Sequence, residues 1–464
     1  CLRNSLLRIS AAATIVDTPK MVKIKAISRD RRDFTRERKG ELMRVSRNPQ
    51  PELHPFERAR EYTRAVNAVK LDRHFAKPFV GALSGHADSV HCMAKSLGAL
   101  STVVSGGADG ELRRWNLAER STAWSTNAHS GFVRGLAFCR SGHHFVSASD
   151  DCTVKLWSAA ASSSDAEPLS RYLGRHAFKD VDHHWQDHLF ATAGAGLALW
   201  DSSRSEPLQT FAWGADGLTH VRFNPSEHSV LGCLSSDRSL TLYDVNTGSA
   251  LQKMTMQTQA NALCWNPMEP FHVTLASEDH NLYTFDIRKL DHAICVHRDH
   301  VSAVMALDYS PTGTHFVSGS YDRTLRIWEA GARASSQVYH AKRMQRLFCV
   351  TWSADASYVL SGSDDTNVRL WRAVANEGAA PLVPRERRKR EYAAALVERH
   401  KHLPEVRRVK NHKHVPKSIK KAAAVKETVE ATQKKREKNR RAHSKPGAVP
   451  KKDAKKKKVW KVHE

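Results

Sequence analysis

Apolar and polar positions alternate in short runs through the middle of the chain, with turn residues between them. The clearest pair is His315-Phe316-Val317-Ser318-Gly319-Ser320 and Thr324-Leu325-Arg326-Ile327-Trp328, joined by Tyr321-Asp322-Arg323. Alternation of period two on both sides of a short polar turn predicts a β-hairpin. The same grammar returns as FVSASDDCTVKLW at 145–157 and YVLSGSDDTNVRLW at 358–371. Its aromatic end recurs at Trp115, Trp157, Trp200, Tyr243, Phe285, Trp328 and Trp371, in steps of 42 or 43 residues. A fixed period of about 40–45 residues predicts four-stranded blades arranged in a ring. Turns such as Ser310-Pro311-Thr312-Gly313, Asn224-Pro225 and Asn266-Pro267 separate strands within the units. A ring hides its strand edges by returning on itself. The apolar stretch Pro78–Leu83, ahead of the first repeat, is placed to supply the outer strand of blade seven.

The repeats resemble the WD-repeat family. There a His, a Ser or Thr, an Asp and the Trp form a hydrogen-bonded chain inside each blade. The matching residues are His86, Ser105, Asp109 and Trp115 in blade one, and His129, Ser147, Asp151 and Trp157 in blade two. Blade six offers His300, Ser318, Asp322 and Trp328, and blade seven His340, Ser361, Asp365 and Trp371. Buried indole and imidazole groups need such partners. Ser, His and Asp also suggest a hydrolase triad, but a catalytic constellation would occur once, not once per blade, and no G-x-S-x-G elbow is present. No catalytic residue is expected. Three blades depart from the pattern. Blade three ends ATAGAGLALWD without the turn Asp, and blades four and five replace Trp with Tyr243 and Phe285 while keeping Asp237 and Asp279. The fold class is therefore all-β, a seven-bladed WD-repeat β-propeller over residues 78–377, with helical basic N- and C-terminal extensions.

Charge sharpens this division. Residues 1–78 hold 19 Lys/Arg against 9 Asp/Glu, residues 79–377 hold 25 against 30, and residues 378–464 hold 29 against 9. The positive charge sits in the ends, as expected for a polyanionic partner such as RNA. In the extension 21–77, Met21–Ile27 is a short alternating run, Phe34–Arg47 is charged and helix-prone, and a helix from about His54 to Phe75 carries an apolar stripe of Ala59, Tyr62, Ala65, Val66, Val69 and Leu71. That stripe is expected to dock on the propeller rim or on a partner. In 378–464, one helix follows Pro384, a second opens at Pro404 and a third, long one at Pro416, before a basic tip, KKDAKKKK, expected to be disordered. Residues 1–20 carry Arg3 and Arg8 and no acid before Asp17, and are expected to be an upstream extension before a start at Met21. No run of about 18 apolar residues suggests a membrane span. The eight cysteines form no CxxC pair, which suits a reducing compartment.

The flanks carry a narrower resemblance. MVKIKAISRDRRDFTRER at 21–38, NAVKLDRHFAKPFVGALSGH at 67–86, REYAAALVERHKHLPEVRRVKNHKHVPKSIKKA at 390–422 and NRRAHSKPG at 439–447 resemble the Sof family of nucleolar WD-repeat proteins. The resemblance implies a scaffold of the small-subunit processome, with precursor ribosomal RNA, small nucleolar RNA–protein particles and processome proteins as partners and the nucleolus as its place. The expected RNA contacts are Arg387, Arg388, Lys389, Arg390, Arg407, Arg408, Lys410, Lys413, Lys417, Lys420 and Lys421. Few aromatics lie near them, which predicts phosphate and shape recognition, not base reading. A second resemblance gives the rival reading. Phe285-Asp286-Ile287-Arg288, after LASEDHNLY, is similar to the box by which WD-repeat substrate receptors dock on cullin-RING ubiquitin ligases, with Asp286 and Arg288 as docking residues. His400-Lys401-His402 and His412-Lys413-His414 lack the further ligands a zinc site wants, so no metal or cofactor is expected.

Overall fold

The computed structural model describes Lys39 and residues 50–160, 167–211, 217–376, 382–445, 448–451 and 453–463. The run Met21–Ile27 and, Lys39 aside, the stretch Phe34–Arg47 lie outside the described residues. The chain divides into two compact units, one formed by residues up to His74 with Gly378–Lys410, the other by Phe75–Glu377 with Asn411–Glu464. The C-terminal extension is thus shared between units and is not one domain.

The larger unit contains seven antiparallel sheets in sequence order. Phe79–Leu83 pairs with Val368–Arg372, so a strand that precedes blade one completes blade seven. Each blade is built as blade six is. His315–Ser320 pairs with Leu325–Glu329, and between them Asp322 Oδ1 accepts the Thr324 N–H at 2.9 Å. The residue after the turn Asp is left-handed in six blades: Gly110 (φ 84°), Cys152 (62°), Arg238 (66°), His280 (71°), Arg323 (63°) and Thr366 (67°). Five of these are not glycine, and the left-handed backbone costs each of them roughly 1 kcal/mol, which the Asp hydrogen bonds offset.

The aromatic ends fill the core. Trp115, Trp328 and Trp371 are at most 1 % exposed, and neighbouring blades share clusters such as Leu112, Trp124, Phe145 and Trp157. The four-residue chain is complete in blades two and six. Trp328 Nε1–H donates to Ser318 Oγ at 2.8 Å, Ser318 Oγ lies 2.6 Å from His300 Nε2, and His300 Nδ1 lies 2.8 Å from Asp322 Oδ2. Blade two repeats this at 2.9, 2.8 and 2.9 Å. Blade seven corrects the expectation. Trp371 donates to Ser361 at 2.9 Å, but Asp365 is paired with Arg369, and His340 lies against His414 with ring centroids 5.4 Å apart. The reason is local: Arg369 lies four residues after Asp365 and claims its carboxylate, and His340 stands further upstream of its Ser than the other three histidines do. Blade one is incomplete too. His86 and Trp115 meet Ser105, but Asp109 instead takes the Glu111 N–H at 3.0 Å.

The departing blades build substitutes. Trp200 of blade three donates to Thr192 at 2.9 Å. In blade five Phe285 has nothing to donate, and a chain of Tyr309, Thr274, Thr284 and His297 runs in its place at 2.7, 3.0 and 3.1 Å. Blade four has a fifth strand. Val459–His463, from the chain's far end, pairs antiparallel with the outer strand Ser249–Met256. The expected disordered tip is instead turns followed by a strand, because Val459 and Val462 pack on the cluster that holds Met254 and Met256.

The smaller unit is helical. α1 (Glu57–His74) packs with α2 (Pro384–Arg399) and α3 (Pro404–Asn411). Ala65, Val66 and Val69 meet Leu396, Val397 and Val406, so the middle of the apolar stripe is covered by the chain's own C-terminal helices, while Ala59 and Leu71 at its ends stay exposed. Arg399 donates to Glu61 at 3.1 Å, and Tyr62 meets His400 edge-on.

Candidate nucleic-acid and partner interface

The C-terminal helices are where cations outnumber acids, and the structure sorts those cations into two kinds. On α2, Arg387, Lys389 and Arg390 are exposed and Arg388 is half-buried; on α3, Arg407, Arg408 and Lys410 are exposed. α4 (Lys417–Ala442) is anchored by Ile419, 9 % exposed, and presents Lys417, Lys420 and Lys421 to solvent. Further along α4, Lys434, Lys435, Arg436, Lys438 and Arg440 are also exposed. The candidate RNA residues did not include this second run, although KKREKNRR is plain in the sequence; its period on a helix is the signal that would have found it. Exposed Lys and Arg in series, without stacking aromatics, can neutralise successive phosphates but cannot read base edges.

Lys413 does not belong with these. Its Nζ donates to Asp299 Oδ2 at 2.8 Å and Ser335 Oγ at 3.1 Å, at the edge of blade six. Asp299 is pushed up by burial, but Lys413 and Ser335 outweigh that and hold it below the usual carboxylate range. Two other lysines act alike. Lys426 on α4 donates to the His300 carbonyl at 2.9 Å, and burial draws its ammonium pKa down. Lys458 meets Asp279 Oδ2 of blade five at 3.0 Å. Backbone bonds join in, from Gln257 N–H to Lys458 O at 2.9 Å and from Ala293 N–H to Lys455 O at 3.1 Å. The tail is thus fastened along blades four, five and six by some of its own cations. The propeller's inner cations are also engaged: Lys95 with Asp308, Arg134 and Lys179 with Asp150, and Arg222 with Asp180, at 2.7–2.9 Å.

The ligase-type box lies on blade five. Arg288 forms a forked pair with Asp286, Nε to Oδ1 at 3.0 Å and Nη2 to Oδ2 at 2.8 Å, and its guanidinium lies 4.4 Å from the Phe271 ring centre. Its side chain is 61 % exposed. The hydrogen bonds from Arg288 hold the Asp286 carboxyl below its usual range. The fork and the ring fix the guanidinium plane, which presents a rigid cation to anything that docks there.

The Sof1-like domain family model matches residues 373–459, and the WD domain, G-beta repeat model matches 77–116, 121–158, 293–329 and 336–372. Those four segments carry blades one, two, six and seven, so the three departing blades are the ones the repeat model passes over. The DDB1- and CUL4-associated factor 13 of Xenopus laevis is 46 % identical over 445 residues, covering 96 % of this chain and 100 % of that protein. The Homo sapiens protein of that name is 45 % identical over 440 residues, covering 94 % and 99 %. Protein SOF1 of Saccharomyces cerevisiae is 43 % identical over 445 residues, covering 90 % and 91 %.

Proposed function

Since the chain belongs to the SOF1 family of WD-repeat proteins, whose role is in ribosome biogenesis, we propose that it is a non-catalytic scaffold of the nucleolar small-subunit processome, supporting maturation of small-subunit ribosomal RNA. One observation carries the reading: within the segment matching the Sof1-like model, α4 presents exposed cations in series, while Lys413, Lys426 and Lys458 fasten residues 411–459 to the propeller. The helices hold phosphates of precursor ribosomal RNA, and the propeller offers its loops to processome proteins.

The test must neutralise charge without unfastening the tail. A variant with Lys434, Lys435, Arg436, Lys438 and Arg440 changed to Ala keeps Ile419, Lys413, Lys426 and Lys458. Crosslinking in cells followed by sequencing should recover precursor ribosomal or small nucleolar RNA with the parent chain and several-fold less with the variant. Each lost phosphate contact should lower the salt slope of RNA binding by about 0.7–0.9. Equal recovery and an unchanged slope would remove the RNA role from α4.

A second reading has its own observation. Arg288 is exposed and rigidly held by Asp286, and relatives that match nearly the whole chain are named for association with DDB1 and CUL4. Under it the protein also docks on a cullin-RING ligase adaptor through blade five. Arg288→Ala then abolishes co-purification of the ligase and leaves RNA recovery unchanged.

A further inference from the structure

Blade one departs from blades two and six just after its turn Asp. In those blades the turn Asp is followed two residues later by Thr153 or Thr324, whose hydroxyl donates to it at 2.6 Å while its other oxygen holds the histidine. Blade one has Glu111 at that position. His86 is 5 % exposed, and its Nδ1 has no hydrogen-bond partner among the described residues. A buried ring nitrogen without a partner is costly, and a structure that keeps one asks for an explanation. Here Nδ1, an Asp109 carboxylate oxygen and a Glu111 carboxylate oxygen lie within 4.8 Å of one another. Glu111 Oε2 stands 3.7 Å from Nδ1, while its Oε1 is held by Arg113 at 2.7 Å. Asp109 Oδ1 accepts the Glu111 N–H at 3.0 Å. Both carboxylates are thereby fixed, with Glu111 Oε2 facing the imidazole.

We infer that His86, Asp109 and Glu111 form a binding site for a divalent first-row metal cation, with Zn²⁺ the best match. One imidazole nitrogen and two carboxylate oxygens are a donor set that zinc accepts, and small inward shifts bring the three atoms to the roughly 2.0–2.2 Å such bonds require. Two carboxylates supply negative charge for a divalent ion, one of them shared with Arg113. The tautomer agrees as well. Ser105 Oγ accepts the Trp115 N–H at 2.7 Å and can accept Nε2–H of His86 at 2.6 Å, which leaves the Nδ1 lone pair for the ion. Arg113 orients the Glu111 carboxylate as outer partners of metal ligands do. Asp109 is exposed, so the ion keeps a coordination position open to solvent.

The full-length chain, treated with a chelator, is titrated with ZnCl₂ by calorimetry and with Co²⁺ by visible absorption. One tight site with the d–d bands of a four- or five-coordinate ion is expected. Glu111→Thr gives blade one the residue of blades two and six, so it should fold normally, with a thermal midpoint within a few degrees of the parent, and bind at least tenfold more weakly. Asp109→Asn should weaken binding similarly, and His412→Ala with His414→Ala should leave it intact. No uptake by the parent chain would overturn the inference. So would parental affinity in Glu111→Thr, or loss of binding in the His412/His414 variant, which would move the ion to the tail.

Discussion

Blade six and blade four hold themselves together in different ways. Blade six closes its own Trp–Ser–His–Asp chain, with all four side chains buried and each polar atom of the chain matched. Blade four has Tyr243 in place of Trp, buried at 2 % exposure with its hydroxyl pushed to about 12 by desolvation, and gains a strand from the other end of the molecule. One blade is stapled from within and the other strapped from outside. A degenerate repeat, then, need not be a weak one; its stabilising contacts can come from sequence far outside the repeat.

The comparison can be broken at its strongest point first. Asp322→Ala leaves buried His300 without its acceptor and should lower unfolding stability by roughly 3–5 kcal/mol in denaturant titrations. Asp109→Ala, in a blade where that Asp does not hold the histidine, should cost about 1 kcal/mol or less. A similar cost at the two positions would sink the distinction. Ending the chain at Lys445 removes the strap and should cost about 2–3 kcal/mol through Val459 and Val462 alone. Its local signature is faster hydrogen exchange along Ser249–Met256, with Thr153–Ser158 in blade two unaffected.

Acid sharpens the contrast more gently. His297, wholly buried in blade five's substitute chain, is drawn by burial to a pKa of about 4. The unfolded histidine takes its proton near pH 6.5, so the unfolded state binds more protons between about 6.5 and 4. Stability therefore falls as pH drops through that window, by up to roughly 1 kcal/mol per pH unit for this group. NMR should show the His297 ring unprotonated until the pH nears 4; titration near 6.5 would contradict its burial. Arg288→Ala should change stability least, by under about 0.5 kcal/mol, since the pair is exposed.

Much of this was legible in the sequence because repetition multiplies a weak signal. Seven aromatic positions in register specify a ring even though blades three, four and five each break the motif, and Pro78–Leu83 was readable as the closing strand from its place before His86. The α1 stripe was legible, but its partner was not, since nothing local in Val66 or Val69 says that Leu396 and Val406 will cover them. Lys413 shows the same limit at the site. In sequence it is one cation in a basic series; only the fold brings Asp299 to 2.8 Å of it. The strand at Val459–His463 was hidden because its partner strand lies some two hundred residues away, and KKDAKKKK beside it dominates the composition.

The pairing of Phe79–Leu83 with Val368–Arg372 has a consequence in time as well as space. As the chain leaves the ribosome, blades one to six can each form from contiguous sequence. Blade seven cannot, because its outer strand is made before blade one and its inner strands after blade six. Until residue 372 emerges the nascent propeller is an open arc, and blade four lacks its fifth strand until Val459–His463 follow. A chain that stops short of residue 368 therefore leaves Phe79–Leu83 without the strand it pairs with, and that unpaired segment marks the ring as unfinished.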